Sequence, residues 1–462
     1  MIKAFITAAV LATAVVPTSA AAAAADLDWR DCGNGLLCAE VAAPADWSRP
    51  AGDRIKIGLA KLPARDQSRK IGTLVHNLGG PAAVIEYLPA LKDAYAELTE
   101  WFDVVVFDPR GMGASSNVSC PQPPPYTLQW AYPSRSDYTG FADANRLFAA
   151  QCPPAPLRLD SWQVAHDMEA IRIALKQRKL NYFGNSYGTV FGQAYAELYG
   201  RNVGRMYLDS VVDHTNPDFS SWTAAKAATS EQNLREFTRW CEREEACALH
   251  GQDAMAVWDR VVERAMREPI PAPGAAMPAS AALIVGQARV QDHRKWPEFS
   301  RALAQADAGD GSAFVPPLPP PPGSLGSDMS RVMYCADFPY ETRYDALKQV
   351  EGKLRATVAP HIGWAHAWSH AAVHCAGLPA RHTFPPHRIQ PAQLPPVLIA
   401  SGSDDQTTPP EHAQRVARQL PGARYLPAKG NHALYVSGNP CVRQYVHQYL
   451  RTGALPGEST RC

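Results

Sequence analysis

The sequence predicts an α/β fold in which a mostly parallel sheet, flanked by helices, is interrupted by a large and mainly helical insertion. Three observations predict it. The runs "GTLVHN" and "FDVVVFD" are short and continuously apolar, as strands buried on both faces are. A helical stretch around Leu88 to Thr99 lies between them, and strand, helix, strand in succession implies a parallel pair. From about Asn216 the chain turns to long Ala- and charge-rich helical stretches, and the strand pattern returns only after Leu394.

Taken in order, the first 25 residues read as a signal peptide. "MIKAFITAAVLATAVVPTSAAAAAAD" has one cation at Lys3, an apolar run to about Val16, and then small residues that suit cleavage before Asp26. That run is shorter than the roughly twenty apolar residues of a membrane span, so no stable membrane anchor is expected. "RIKIGLAKLPA", from Arg54, mixes apolar and polar residues like a half-exposed strand. From Ser161 to Lys179, Val164, Met168, Ile171, Ile173 and Leu175 recur at roughly helical spacing, with acids early and bases late. The strand "LNYFG", the helix "TVFGQAYAELYG" ending at Gly200 and the strand "GRMYLDSVV" follow. The expected division is a signal peptide at 1–25, a first core part at 26–215, a helical cap insertion at 216–390 and a second core part at 391–462. The proline run beginning at Phe314 reads as an extended rim loop or spacer inside the insertion.

With 45 Lys+Arg against 44 Asp+Glu in 462 residues, no basic surface invites nucleic acid or an anionic membrane. Ten cysteines behind an export signal imply an oxidising compartment. Their spacing suggests sequential disulfides: Cys32 with Cys38, Cys120 with Cys152, Cys241 with Cys247, Cys335 with Cys375, and Cys441 with Cys462. No C-x-x-C pair supports zinc, and neither a metal nor a cofactor is expected.

The chemistry centres on Gly184-Asn185-Ser186-Tyr187-Gly188, a G-x-S-x-G pentapeptide between a strand and a helix. A serine hydroxyl becomes a nucleophile when a base takes its proton and an acid orients that base. On a strand-turn-helix elbow the acid and histidine should follow in that order. They do: "LIASGSDDQTTPPE" closes a strand with Asp404 and Asp405, and "YLPAKGNHAL" closes another with His432. Asp405 is preferred over Asp404 by its spacing to the Thr-Pro pair. The oxyanion that forms on attack needs two backbone donors, for which Tyr187 and Gly80 are the candidates, since Pro81 has no N–H. "FDPRGMGAS" reads as a structural glycine turn.

"HNLGGPAA", "FDPRGMGASSNVSC", "GNSYGTVFGQAYAELY", "MYLDSVVD", "YCADFP", "GSDDQTTPPEHA" and the terminal stretch from "GNHALYVSGNPC" to Cys462 together resemble the secreted tripeptidyl aminopeptidases of the prolyl-aminopeptidase-related α/β-hydrolase family, over nearly the whole mature chain. The resemblance implies an α/β-hydrolase fold and a triad of Ser186, Asp405 and His432. It also implies a helical cap that restricts access and a TAP-like C-terminal region. Ala82 and Ala83 depart from the family's run of glycines after G-G-P, and Leu378 stands near where a tryptophan is usual. The expected substrate is a peptide with a free N-terminus or another small acyl compound, and the competing expectation is an esterase or amidase with the same triad. An aminopeptidase must pair the substrate ammonium with a carboxylate. Glu242, Glu244, Glu245, Asp337 and Glu341 are candidates, each more readily read as a surface or structural acid. His366, His370 and His374, four residues apart, read as a structural or pH-sensitive stripe.

Overall fold

The computed structural model describes residues 26–121, 134–152, 157–288, 290–316, 328–368, 374–379 and 383–462. The expected signal peptide at 1–25, His370 and most of the proline run lie outside the described residues. Among the described residues, nine strands form one sheet in the order β1-β2-β3-β5-β4-β6-β7-β8-β9. They are β1 (Arg30–Asp31), β2 (Leu37–Pro44), β3 (Arg54–Leu62), β4 (Gly72–Asn77), β5 (Phe102–Phe107), β6 (Leu180–Asn185), β7 (Val203–Asp209), β8 (Leu398–Gly402) and β9 (Arg424–Ala428). The first three pair antiparallel, β3 joins β5 antiparallel, and every pairing from β5 to β9 is parallel.

Side chains alternate across a strand, so a strand covered on both faces must be apolar at every position. In β5, Val105 and Phe107 enter the apolar cluster on one face while Val104 and Val106 enter that on the other. The same alternation places Leu208 on one face and Tyr207 on the other. Helices α2 (Ser161–Ala174) and α3 (Gly188–Tyr199) cover the first face with Val164, Met168, Ile171, Val190 and Phe191. The helix Pro440–Thr452 covers the second with Val442, Val446 and Leu450.

Local signals set the ends. Asp160 caps α2 by accepting from the Gln163 N–H. The helix expected to reach Lys179 stops at Ala174, because Lys176 is left-handed at φ 52° and turns the chain into β6. Between β4 and β5 the expected helix is instead three short 3-10 segments, Ile85–Leu91, Asp93–Tyr95 and Leu98–Glu100. Pro89 sits inside the first, where its ring and missing N–H interrupt an α-helical ladder. The glycine turn after β5 is structural: Asp108 accepts N–H bonds from Val84, Ile85 and Ala114 at 2.6, 2.9 and 2.8 Å. Arg110, fully buried there, forks onto Asp167 of α2 at 2.7 and 2.6 Å. Two parallel charge-assisted bonds fix that helix to the loop.

Between β7 and β8 the described residues form α4 (Phe219–Arg243), α5 (Ala254–Arg267), α6 (Ala281–Gln287), α7 (Trp296–Asp307), α8 (Asp328–Asp337) and α9 (Tyr344–Thr357). Among the described residues there is no strand in this stretch, only an isolated bridge between Ile270 and Ala279. All five disulfides join the cysteines that the spacing pairs, and no cysteine is free. No described helix is long and apolar enough to cross a membrane.

Candidate active site

Ser186 occupies the turn between β6 and α3 with φ 52°, a left-handed conformation that costs a non-glycine residue about 1–2 kcal/mol. Its N–H bonds the Asp209 carbonyl at 3.0 Å, and its own carbonyl accepts from Thr189 N–H at 2.9 Å and Thr189 Oγ1 at 2.6 Å. The turn is therefore held on both sides, by the neighbouring strand β7 and by the first turn of α3. Close packing dictates the glycines around it. A Cβ at Gly188 would lie 2.4 Å from the Asn77 carbonyl oxygen, and one at Gly79 would lie 2.7 Å from Tyr187 N and 2.8 Å from Ser186 Cβ. Gly79 brings the loop after β4 against the Ser186 turn, and Gly80 follows it at φ 113°. Tyr187 is the N-cap of α3.

His432 and Asp405 meet from the ends of β9 and β8. His432 Nδ1 donates to Asp405 Oδ2 at 2.8 Å. Asp405 is fully buried and its other bonds are all to donors: Thr407 and Thr408 N–H on Oδ1 at 3.0 and 2.9 Å, and Thr408 Oγ1 on Oδ2 at 2.6 Å. Burial alone would push its carboxyl up, but the charge and hydrogen bond of His432, with the Thr408 donors, hold it below the ordinary value. Burial likewise opposes protonation of His432, and the charge and hydrogen bond of Asp405 overcome it, so the imidazole is raised. Its side chain keeps 30% of its surface open, and Ser186 is half-buried, so both remain reachable while the acid is sealed.

Asp404, next in the chain, points elsewhere. Its Oδ1 accepts from Ser403 Oγ at 2.7 Å and its Oδ2 lies 3.5 Å from His293 Nε2. With Glu236, these two form the group of potential metal-ligand atoms found among the described residues, all within 4.8 Å of one another.

Tyr187 extends its hydroxyl to Asp337 at the end of α8, donating to Oδ2 at 2.6 Å. Asp337 also accepts from Ser161 N–H at 2.9 Å and Ser161 Oγ at 2.5 Å. Burial first, and the nearby Asp160 second, push its carboxyl up to about 8. Of the acids considered for an ammonium, Asp337 is thus tied to the residue after Ser186, Glu341 pairs with Arg343 at 2.7 Å, and Glu242, Glu244 and Glu245 are exposed. His366 takes the structural of its two expected roles: it sits in the 3-10 segment Gly363–Trp368, its Nε2 lies 2.7 Å from Ser230 Oγ, and burial pushes it down to about 3.

Two groups at this site carry no sequence expectation. Lys226 of α4 is half-buried, with Nζ 4.7 Å over the Trp222 ring, and burial pushes it down to about 8. Asp209, the last residue of β7, is fully buried beside the loop that carries His432. Its position at a strand end between those of Ser186 and Asp405 is the signal that could have drawn notice.

Residues 74–267 match the family model described as the alpha/beta hydrolase fold, and residues 359–462 match that of the TAP-like proteins. The tripeptidyl aminopeptidase of Streptomyces coelicolor is 28% identical across 96% of this chain and 87% of its own length. The serine protease Hip1 of Mycobacterium tuberculosis is 27% identical across 93% of this chain and 87% of its own, and carboxylesterase B of the same organism is 28% identical across 92% and 86%. A solved hydrolase structure from Pseudomonas aeruginosa overlaps 92% of this chain and 99% of that chain at 16% identity and a TM-score of 0.34. The sheet order and the two family-model matches give this chain an α/β-hydrolase fold whose C-terminal residues 359–462 are TAP-like.

Proposed function

We propose that this serine hydrolase is an exported aminopeptidase that releases short peptides, of tripeptide type, from free N-termini. The serine-hydrolase chemistry is supported by the pairing of His432 with a buried, fully donor-satisfied Asp405 at the same sheet edge as the left-handed Ser186, and the peptide substrate by the 28% identity to the Streptomyces coelicolor tripeptidyl aminopeptidase across 96% of this chain. In the proposed cycle Ser186 Oγ attacks the scissile carbonyl and its proton passes to His432 Nε2. The carbon–nitrogen bond then breaks as His432 returns that proton to the leaving amine, and water, deprotonated by the same imidazole, releases the acyl group. Asp405 holds the histidine in the tautomer that leaves Nε2 free to act as base. The N–H groups of Tyr187 and Gly80 receive the oxyanion. Residues 216–390 serve as the cap, α4 lying against the acid's loop through Ser230 Oγ on Gln406 at 2.9 Å and Asn233 Nδ2 on the Asp404 carbonyl at 2.8 Å. The export signal at 1–25 and the five disulfides support an extracellular or periplasmic site of action.

The relative named carboxylesterase B favours a second reading, in which the same triad turns over an ester. Hydrolysis of a free-amine tripeptide anilide, its N-acetylated twin and a short p-nitrophenyl ester, with Ser186→Ala as blank, separates the two. Strong preference for the free amine is the expected result. Ester turnover with neither anilide cleaved would overturn the aminopeptidase.

A further inference from the structure

Asp209 and Ser210 stand between the nucleophile's turn and the histidine's loop, and they bond to both. The Asp209 carbonyl accepts the Ser186 N–H at 3.0 Å. Its carboxylate accepts the N–H of Leu434 at 3.2 Å on Oδ1 and of Tyr435 at 2.8 Å on Oδ2, with Ser210 Oγ at 3.1 Å from Oδ1. Ser210 Oγ accepts the Ala433 N–H at 2.8 Å, and the Ser210 N–H reaches across to the Ala400 carbonyl of β8 at 3.0 Å. Three consecutive backbone donors after His432 thus end on one dipeptide. Ser186, Ser210 and Ala433, at φ 52°, 55° and 60°, are all left-handed without being glycine, so this junction keeps its shape only because each turn is tied to the next.

We propose that Asp209 is a positioning residue for catalysis: its carboxylate holds the loop of His432 in register with Ser186 and places a second negative charge beside the imidazole. The proposal rests on the serine-hydrolase reading above. A carboxylate buried at 0% exposure is retained at a cost in desolvation, which an uncharged acceptor would avoid. Three groups set the field on His432 from the elements packed against it: Asp405 from the end of β8 and Asp209 from the end of β7, which favour its protonated form, and Lys226 from α4, which opposes it. Burial leaves the Asp209 carboxyl raised overall, against the lowering by the Tyr435 N–H, by the Tyr207 and Ser210 hydroxyls and, last, by the charge of His432, so the interaction with the imidazole is mutual.

The test compares wild type, Asp209→Asn and Ser210→Ala in the full-length chain. It reads kcat and KM against pH and, independently of substrate, the rate at which a fluorophosphonate labels Ser186. Asp209→Asn should lower kcat on the order of tenfold to a hundredfold with little change in KM, as misplaced catalytic groups do. It should also move the acid limb of both profiles to lower pH, because removing a negative charge makes His432 easier to deprotonate. Ser210→Ala, which keeps the charge, should lower kcat without moving the limb. A folded Asp209→Asn with wild-type kcat, or with a lowered kcat and an unmoved limb, overturns the proposal. If Asp209→Asn does not fold, a wild-type kcat in Ser210→Ala overturns it. A wild type that neither labels nor turns over any substrate would instead strike at the serine-hydrolase reading itself.

Discussion

Four consecutive strands in the sheet, β6 to β9, each bring one residue to the same edge: Ser186, Asp209, Asp405 and His432. The stretch from 216 to 390 brings its polar groups by another route, from helices whose contacts are with residues far away in the chain. Ser230 meets His366 and Gln406, and Asp337 meets Ser161 and Tyr187. At the sheet edge the parallel strand ends position the chemistry, and short bonds between the turns that follow them keep those turns in register. In the helical stretch the frame is an apolar core, with Phe237, Trp258, Phe299, Leu347 and Trp364 buried, tied further by side-chain bonds and disulfides. Substitutions at the first should therefore change rate more than stability, and substitutions in the second should do the reverse.

The largest expected effect is at the edge. Ser186→Ala or His432→Ala should lower kcat on the order of a million-fold, because members of such a triad act as a unit, while the unfolding midpoint stays close to wild type. Turnover equal to wild type would remove Ser186 from the mechanism. Next come the adjacent acids: Asp405→Asn should cost on the order of ten-thousand-fold by spoiling the tautomer of His432, whereas Asp404→Asn should cost less than about tenfold. Equal losses would mean that the bond at 2.8 Å does not set the histidine's role.

In the helical stretch, opening Cys335–Cys375, which spans 40 residues, should cost about 4 kcal/mol of unfolding free energy, against about 2 for Cys32–Cys38, which spans 6. Denaturant unfolding of the two double-serine variants reads the difference, and equal losses would erase the contrast between regions. Asp337 gives a smaller, pH-dependent effect. Folded, its carboxyl sits at about 8 against an ordinary 3.8 when unfolded, so the folded state keeps a proton that the unfolded state releases. Its contribution to stability must then fall as pH rises from about 4 to about 8. Asp337→Asn should flatten that fall, measured as urea midpoints at pH 5 and pH 8, and a steeper fall in the variant would refute it. The smallest effect belongs to the exposed pair Arg135–Asp345, both more than half open to solvent, whose removal should change stability by less than about 1 kcal/mol.

Much of the fold and of the candidate site was legible because it depends on neighbours in the chain. "FDVVVF" must lie in a sheet covered on both faces, "GNSYG" must turn tightly between strand and helix, and cysteines 6 to 40 residues apart pair with their neighbours. The order serine, aspartate, histidine after successive strands follows from the same local patterns. Where the reading stopped short, a non-local or backbone choice decided. A left-handed Lys176 ends α2 early, and the segment after β4 winds into 3-10 turns around Pro89.

By itself, then, the sequence determined the alternation of strands and helices, the elbow at Ser186 and the pairing of the cysteines, since apolar period, turn geometry and short loop closure act over a few tens of residues. The acid set against His432 is the one that the spacing to the Thr-Pro pair prefers, whereas the tertiary structure alone decided that Asp337 lies against Tyr187 150 residues away and that Asp209 bonds a loop 225 residues further on. Those contacts depend on which buried donors are left to be satisfied once the sheet has assembled, and no local pattern in the chain encodes that.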